Sequence, residues 1–246
     1  MKNRFVKQKF QGTELLRKFQ REIFEELIKN HSWVKGENQL CELHQSVSKS
    51  DINKLRLSCF KQINSLNWKL ELKKYVLDDI SKLLGPDLVI QNKLNLSIQM
   101  PGDESSILPA HTDCNSGDSP FQLVIWIPLT DAKATNSMFI MGEAKSRSYY
   151  HHLGSHSIHK QLEISKDDYI NINEGEYIIF PPTLIHGNTL NTTKKTRISL
   201  NVRVKSIFSP YQRLTPLDRK VGAYYSLWNM SPWSKWNQEV LKELNK

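Results

Sequence analysis

Thr196-Arg197-Ile198-Ser199-Leu200-Asn201-Val202-Arg203-Val204-Lys205 alternates without a break. Ile198, Leu200, Val202 and Val204 fall on one side, and Arg197, Ser199, Asn201 and Arg203 on the other. That period belongs to a β-strand, whose successive side chains leave on opposite faces. One face belongs in a core. The other must meet water or a polar cavity, because a buried guanidinium without partners is costly. Two readings follow: the inner wall of a barrel that binds an anion, or an exposed edge strand carrying ordinary surface charges. Arg197 and Ser199 share a face and can hold one carboxylate together, since the planar fork of arginine matches a carboxylate with two hydrogen bonds.

Upstream, other segments read as strands. Residues 121–129 form an almost continuous apolar run, as expected when both faces are covered. Residues 88–100 alternate, with Leu94, Leu96, Ile98 and Met100 opposite Asn95, Ser97 and Gln99. Residues 138–141 and 184–188 are shorter candidates. Residues 169–172 and 176–180 flank the turn signal Asn173-Glu174-Gly175 and suggest a hairpin. Residues 146–166, with Tyr149, Tyr150, His151, His152, His156 and His159, show no clear period and read as an insertion loop.

Before residue 87 the period is helical. Leu15, Leu16, Phe19, Ile23, Leu27 and Ile28 mark one amphipathic helix, with Thr13 as its cap. Ile52, Leu55, Cys59, Phe60 and Ile63 mark a second, capped by Ser50. A third spans about 67–84, with Leu70, Tyr75, Leu77, Ile80 and Leu84 for burial, and Gly85-Pro86 stops it. Residues 31–49 read as a polar loop. Helices first, then about eight short strands, then a tail, argue for an α+β domain with a sandwich or barrel of strands and helices on one outer face. One domain over 1–246 is expected: helical support to residue 86, the strand core over 87–207, and a C-terminal extension over 208–246.

The 246 residues carry 39% hydrophobic side chains, enough for a substantial core. The net charge of +9 fits a nucleic acid, an anionic small molecule, or lysines scattered over a solvated surface. No block of five or six like charges appears, which favours the scattered surface. Cys41, Cys59 and Cys114 are odd in number and lack CxxC spacing, and residues 1–10 are polar and basic without an apolar run behind them. A reducing, cytoplasmic setting without a membrane span is the expectation.

His111-Thr112-Asp113 places an imidazole and a carboxylate two residues apart, on one face if the segment is extended. A lone distal His186 follows, then Arg197 eleven residues on (197 − 186 = 11). Two histidines and one carboxylate on one side of a metal leave the opposite side open, the facial arrangement of non-heme Fe(II) oxygenases. An HxD alone is a weak signal in a chain with eight histidines, and it gains weight from the features downstream.

His111-Thr112-Asp113, His186 and Arg197-Ile198-Ser199 together resemble the Fe(II)- and 2-oxoglutarate-dependent oxygenases, in particular the phytanoyl-CoA-dioxygenase-like branch. There is also a narrower similarity to oxygenases of carbohydrate-biosynthesis clusters. The resemblance covers about 87–207 and includes Trp126-Ile127-Pro128-Leu129-Thr130-Asp131 and Glu174-Gly175-Glu176-Tyr177-Ile178-Ile179-Phe180. It implies a double-stranded β-helix (jelly-roll, cupin-like) core with the triad at its open end. It further implies His111, Asp113 and His186 as Fe(II) ligands, and Arg197 with Ser199 on the distal carboxylate of 2-oxoglutarate. Gln99 and Trp126 are the further cosubstrate candidates. Asn136-Ser137 departs from the family's frequent Asn-Gly, which bears on the substrate side and not on the metal side. Because Asp113 is retained, where related halogenases lose this carboxylate, the resemblance implies hydroxylation or another hydrogen-abstracting outcome. O2 and 2-oxoglutarate are then consumed to succinate and CO2.

Arg203 and Asn201 share the face of Arg197 and point to a polar, anionic small-molecule substrate, with a sugar or nucleotide-sugar the best single expectation. Two rivals stand beside this. Arg197 and Arg203 reproduce an Arg-x5-Arg spacing seen in oxidative demethylases of nucleic acid, although no basic stripe accompanies it. A cupin-like binding protein with a vestigial metal site is the non-catalytic alternative, opposed by the complete ligand set. His151, His152, His156 and His159 could form a second metal site or a polar loop at the mouth. Tyr224, Tyr225, Trp228, Trp233 and Trp236 could stack on a ligand, bury against the barrel or form a dimer contact. The oligomeric state is open.

Overall fold

A computed structural model of the chain describes residues 5–31, 35–154, 163–211 and 219–245. Its centre is β8 (Arg197–Ser206), a ten-residue strand. Along one edge β8 pairs antiparallel with β4 (Gln122–Pro128). Its other edge is shared. β3 (Asn95–Gln99) takes residues 197–201, and β2 (Leu88–Gln91) takes 204–206. β6 (Glu176–Phe180) and β1 (Val6–Lys9) extend the sheet beyond β4, and β9 (Tyr225–Asn229) closes the far side on β2. A second, two-stranded sheet pairs β5 (Phe139–Ile140) with β7 (His186–Gly187). Single bridges widen it at His111↔His186 and Phe139↔Tyr169. Two sheets of this kind, with helices on the outer face of the larger one, make the double-stranded β-helix architecture expected from the alternation.

The alternation of β8 divides the molecule. Ile198, Leu200, Val202 and Val204 are buried against three helices, α1 (Thr13–Asn30), α2 (Ile52–Ser65) and α3 (Trp68–Leu84). Burying such side chains contributes about 1.5–3 kcal/mol each. Ile125, Ile127, Tyr177 and Ile179 join that core from the flanking strands. The opposite parity, Val124, Trp126, Ile178 and Phe180, packs with Ile140, Ile170, Ile172 and Leu184 between the two sheets. The polar face of β8 thus looks inward, between the sheets, and the edge-strand alternative does not apply.

Several local expectations are corrected. Gly12, not Thr13, precedes the first helix, and Asp51, not Ser50, precedes the second. α3 buries Trp68, Leu72, Val76 and Ile80, whereas Leu70 is exposed, as is Ile28 on α1. Gly85 ends α3 at φ +81°, a conformation that L side chains rarely adopt. Residues 37–45, within the expected loop, form 3-10 turns. The alternating run 88–100 is two strands, because the backbone of Leu94 leaves β8 to bond both ways with the Asn64 amide of α2. Residues 169–172 do not form a hairpin with β6. Both edges of β6 are taken by β4 and β1, and Ile172 bridges Ala132 instead. β1 went unseen because Val-Lys-Gln-Lys reads as solvated, and its residues are indeed exposed on an edge.

Where an insertion loop is expected, residues Glu143–Gly154 form α4. It docks through Ser146, whose hydroxyl accepts the Ile185 N–H at 3.0 Å. The tail divides. Tyr225 and Trp228 of β9 are buried, while Trp233 and Trp236 of α5 (Pro232–Leu244) are 74% and 59% exposed. No helix among the described residues is long and apolar enough to cross a membrane.

Candidate metal and cosubstrate site

His111 and His186 form an antiparallel bridge, and Thr112 is extended, so Asp113 comes to the same side before a 3-10 turn begins. Each imidazole Nδ1 contacts a carbonyl oxygen: Pro109 O at 2.8 Å from His111, and Leu184 O at 2.9 Å from His186. A carbonyl can only accept, so both Nδ1 atoms carry the proton and both Nε2 lone pairs are left free. The two Nε2 atoms lie 3.8 and 3.7 Å from Asp113 Oδ1. All three donor atoms fall within 4.8 Å of one another. With ligand bonds of about 2.1 Å, donors on one face of an ion lie about 3 Å apart, so the observed 3.8 and 3.7 Å call for a closing of under about 1 Å. Burial pushes the His186 imidazole down to about 4, against the pull of Asp113, so the ring is neutral at pH 7 and able to ligate.

Asp113 is buried, which alone would raise its carboxyl. The Arg203 guanidinium outweighs this and holds it below the ordinary value. Arg203 donates from Nε to Oδ2 at 2.9 Å and from Nη2 to Oδ1 at 2.7 Å. Arg203 also approaches Asp118 at 3.4 Å, and Arg219 meets Asp118 at 2.7 Å. Arg203 is therefore committed to the triad carboxylate. It is not the free anion anchor that its place on the face of Arg197 suggests.

Arg197 is different. It is 3% exposed and touches neutral groups: Ser199 Oγ at 2.7 Å, Ser97 Oγ at 3.2 Å and Gln99 Oε1 at 3.2 Å. Its Nε has no partner, and no carboxylate among the described residues pairs with it. Burial pushes the guanidinium down to about 10. The Trp126 ring lies 5.8 Å away. A buried cation without a counter-ion fits the carboxylate of a ligand.

Both groups open on one cavity of about 120 Å³, lined by His111, Asp113, His186, Trp126, Arg197, Asn201 and Arg203. Gln99 and Ser199 do not line it. They stand behind Arg197, and Gln99 is anchored by donating to Thr189 O at 2.6 Å. Sequence reading passed over Ser106, Leu108, Met138, Phe180 and Asn188 as cavity residues, whereas Ser97, on the polar side of the 95–99 alternation, is one. Phe180 ends β6 of the larger sheet, in an apolar run that does not tell which face meets a cavity, while the others come from segments beside the strands and carry no periodic signal. Burial and Asp113 push the neighbouring Cys114 thiol up to about 11, consistent with packing. The histidine-rich segment lies largely outside the described residues: His156 and His159 entirely, and the side chains of His151 and His152.

Residues 15–199 match the phytanoyl-CoA dioxygenase (PhyH) family. The chain belongs to that family. The match begins in the helices, earlier than the strand motifs by themselves suggest. This PhyH protein is accordingly an Fe(II)- and 2-oxoglutarate-dependent dioxygenase that uses O2 as cosubstrate. Its fold is similar to those of many solved structures, two of which serve as examples. One is the non-heme monooxygenase ThoJ in its apo form (19% identity, 99% of this chain and 90% of that chain covered, TM-score 0.51). The other is HygX from Streptomyces hygroscopicus, determined with nickel and 2-oxoglutarate bound (12% identity, 90% and 91% covered, TM-score 0.51). The sequence has no match among the curated proteins.

Proposed function

We propose that this PhyH-family oxygenase hydroxylates a polar small molecule, such as a sugar, a nucleotide-sugar or a related biosynthetic intermediate. In this reading His111, Asp113 and His186 hold Fe(II), and Arg197 docks the distal carboxylate of 2-oxoglutarate. The observation that carries it is the buried, carboxylate-free Arg197 sharing one small cavity with three converging ligand atoms. Bound iron would supply O2 activation coupled to decarboxylation of the cosubstrate.

The chain's own residues do the rest. The two carbonyl-held imidazoles present Nε2, and Asp113 supplies the charge that a dication needs. Ser97, Ser199 and Gln99 hold Arg197 in place. Val124, Trp126, Met138 and Phe180 line the cavity with apolar surface and keep water from it, which strengthens charge interactions inside. A polar substrate is supported by the amide of Asn201. Its oxygen accepts from Asn95 at 2.9 Å, while its nitrogen donor has no partner among the described residues and is available to a hydroxyl or carbonyl. The net charge of +9 also favours anionic ligands.

Succinate release by the iron-loaded protein, scored across a panel of sugars, nucleotide-sugars, acyl thioesters and a methylated oligonucleotide, tests this. Selective turnover of the first two classes is expected. Preferential turnover of an acyl thioester or of the oligonucleotide would overturn the substrate assignment.

A further inference from the structure

The ligand carboxylate is one end of a charge chain: Asp113, Arg203, Asp118, Arg219. Arg203 stands on the cavity wall, three turns of alternation beyond Arg197 on the same strand face, in register with Val124 of β4. Its two short bonds occupy Asp113 differently at each oxygen. Nε takes Oδ2, and Nη2 shares Oδ1, the oxygen nearer to both imidazoles. The Arg203 backbone N–H donates to Gln91 Oε1 at 3.2 Å, fixing the strand that carries it. Burial works against the charge on Arg203, and Asp113 outweighs it, holding the guanidinium above its ordinary value.

We infer that Arg203 is a positioning residue for the metal centre. It clamps Asp113 so that the carboxylate offers Oδ1 alone, and so keeps the number of protein donors at three. A carboxylate free to turn could offer both oxygens and fill a position that cosubstrate or O2 needs. Asp118 and Arg219 back the clamp and tie it to the stretch that leads into β9. This inference rests on the assignment of His111, Asp113 and His186 as metal ligands.

The test is Ni(II) affinity by calorimetry on folded protein, with the Mn(II) paramagnetic resonance spectrum as a second readout of ligand geometry. Loss of a residue that orients a ligand typically weakens metal binding by about 10–100-fold. Arg203→Gln should do so and should change the Mn(II) spectrum. Arg203→Lys should recover only part of the loss, because an ammonium is a point donor and cannot bridge two oxygens. Asp118→Asn leaves both short bonds in place and should shift affinity by no more than about threefold, far less than the 10–100-fold of a lost ligand partner.

Wild-type affinity and spectrum in Arg203→Gln would overturn the clamp. An Asp118→Asn loss as large as that of Arg203→Gln would also overturn it, since the effect would then follow net charge and not contact. If Arg203→Gln does not fold, Arg203→Lys decides: affinity equal to wild type sinks the proposal. His111→Ala separates the two levels of argument. Ni(II) binding unchanged in that variant refutes the ligand assignment itself, whereas its loss there with no change at Arg203 refutes the clamp alone.

Discussion

His111 and His186 are joined through their backbones. The His111 N–H donates to His186 O at 3.0 Å, and the His186 N–H donates to His111 O at 2.9 Å. Two residues far apart in sequence are thereby held as one bridge pair, with ring centroids 4.3 Å apart. Their relative position depends on main-chain bonds, which side-chain substitution leaves intact.

From this, His186→Ala should keep its secondary structure and thermal transition yet lose both Ni(II) binding and succinate production. Circular dichroism alongside calorimetry reads both at once. Retained turnover would show that the histidine is not a ligand.

Arg197→Ala should raise the 2-oxoglutarate concentration for half-maximal rate by at least about 100-fold. Breaking a buried charge pair costs about 3–5 kcal/mol, and each 1.4 kcal/mol is about tenfold. Titration of the cosubstrate against succinate yield measures it. A requirement close to that of the wild type would mean the carboxylate docks elsewhere.

At Gly187 an added Cβ would lie 2.6 Å from Leu108 O, 2.9 Å from Pro109 O and 2.9 Å from the Phe139 ring. These neighbours include backbone leading into His111 and cannot yield cheaply. Gly187→Ala should cost about 1–3 kcal/mol of stability, the usual range for overpacking. Gly36, with nothing within 4 Å of the corresponding position, is the control. Denaturant midpoints for the two variants should separate clearly, and equal midpoints would contradict the crowding.

Residues 111–118, which carry the cavity-lining His111 and Asp113, touch the stretch beginning at Tyr149. Asn115 Nδ2 reaches the Tyr149 hydroxyl at 3.5 Å, and the Tyr150 hydroxyl donates to Thr183 O at 3.0 Å. Closure of such segments over bound ligands is a common way to complete a site. Hydrogen exchange in 111–118 and 149–154 should slow when Ni(II) and 2-oxoglutarate are added together. Identical exchange with and without them would count against a closing mouth.

Much of this was legible in the order of residues alone. The period-two run 196–205 determined that β8 has one apolar and one polar face, because a strand has only two faces and this one separates its residue types cleanly. That the polar face looks into an interior and not into water was decided by the second sheet packed over it. The HxD spacing and the distal histidine likewise named three metal-ligand candidates, since few residue types can ligate iron and their spacing was already suitable. The tertiary structure decided what charge and contact do there. Arg197 and Arg203 look equivalent in sequence, yet one is buried among neutral groups while the other clasps Asp113. Which residue a guanidinium meets depends on the strands and turns brought beside it, and no period in the chain records that. The same reason hid β1, the second edge of β6 and the loop residues of the cavity: each is defined by a partner distant in sequence, and only folding brings the two together.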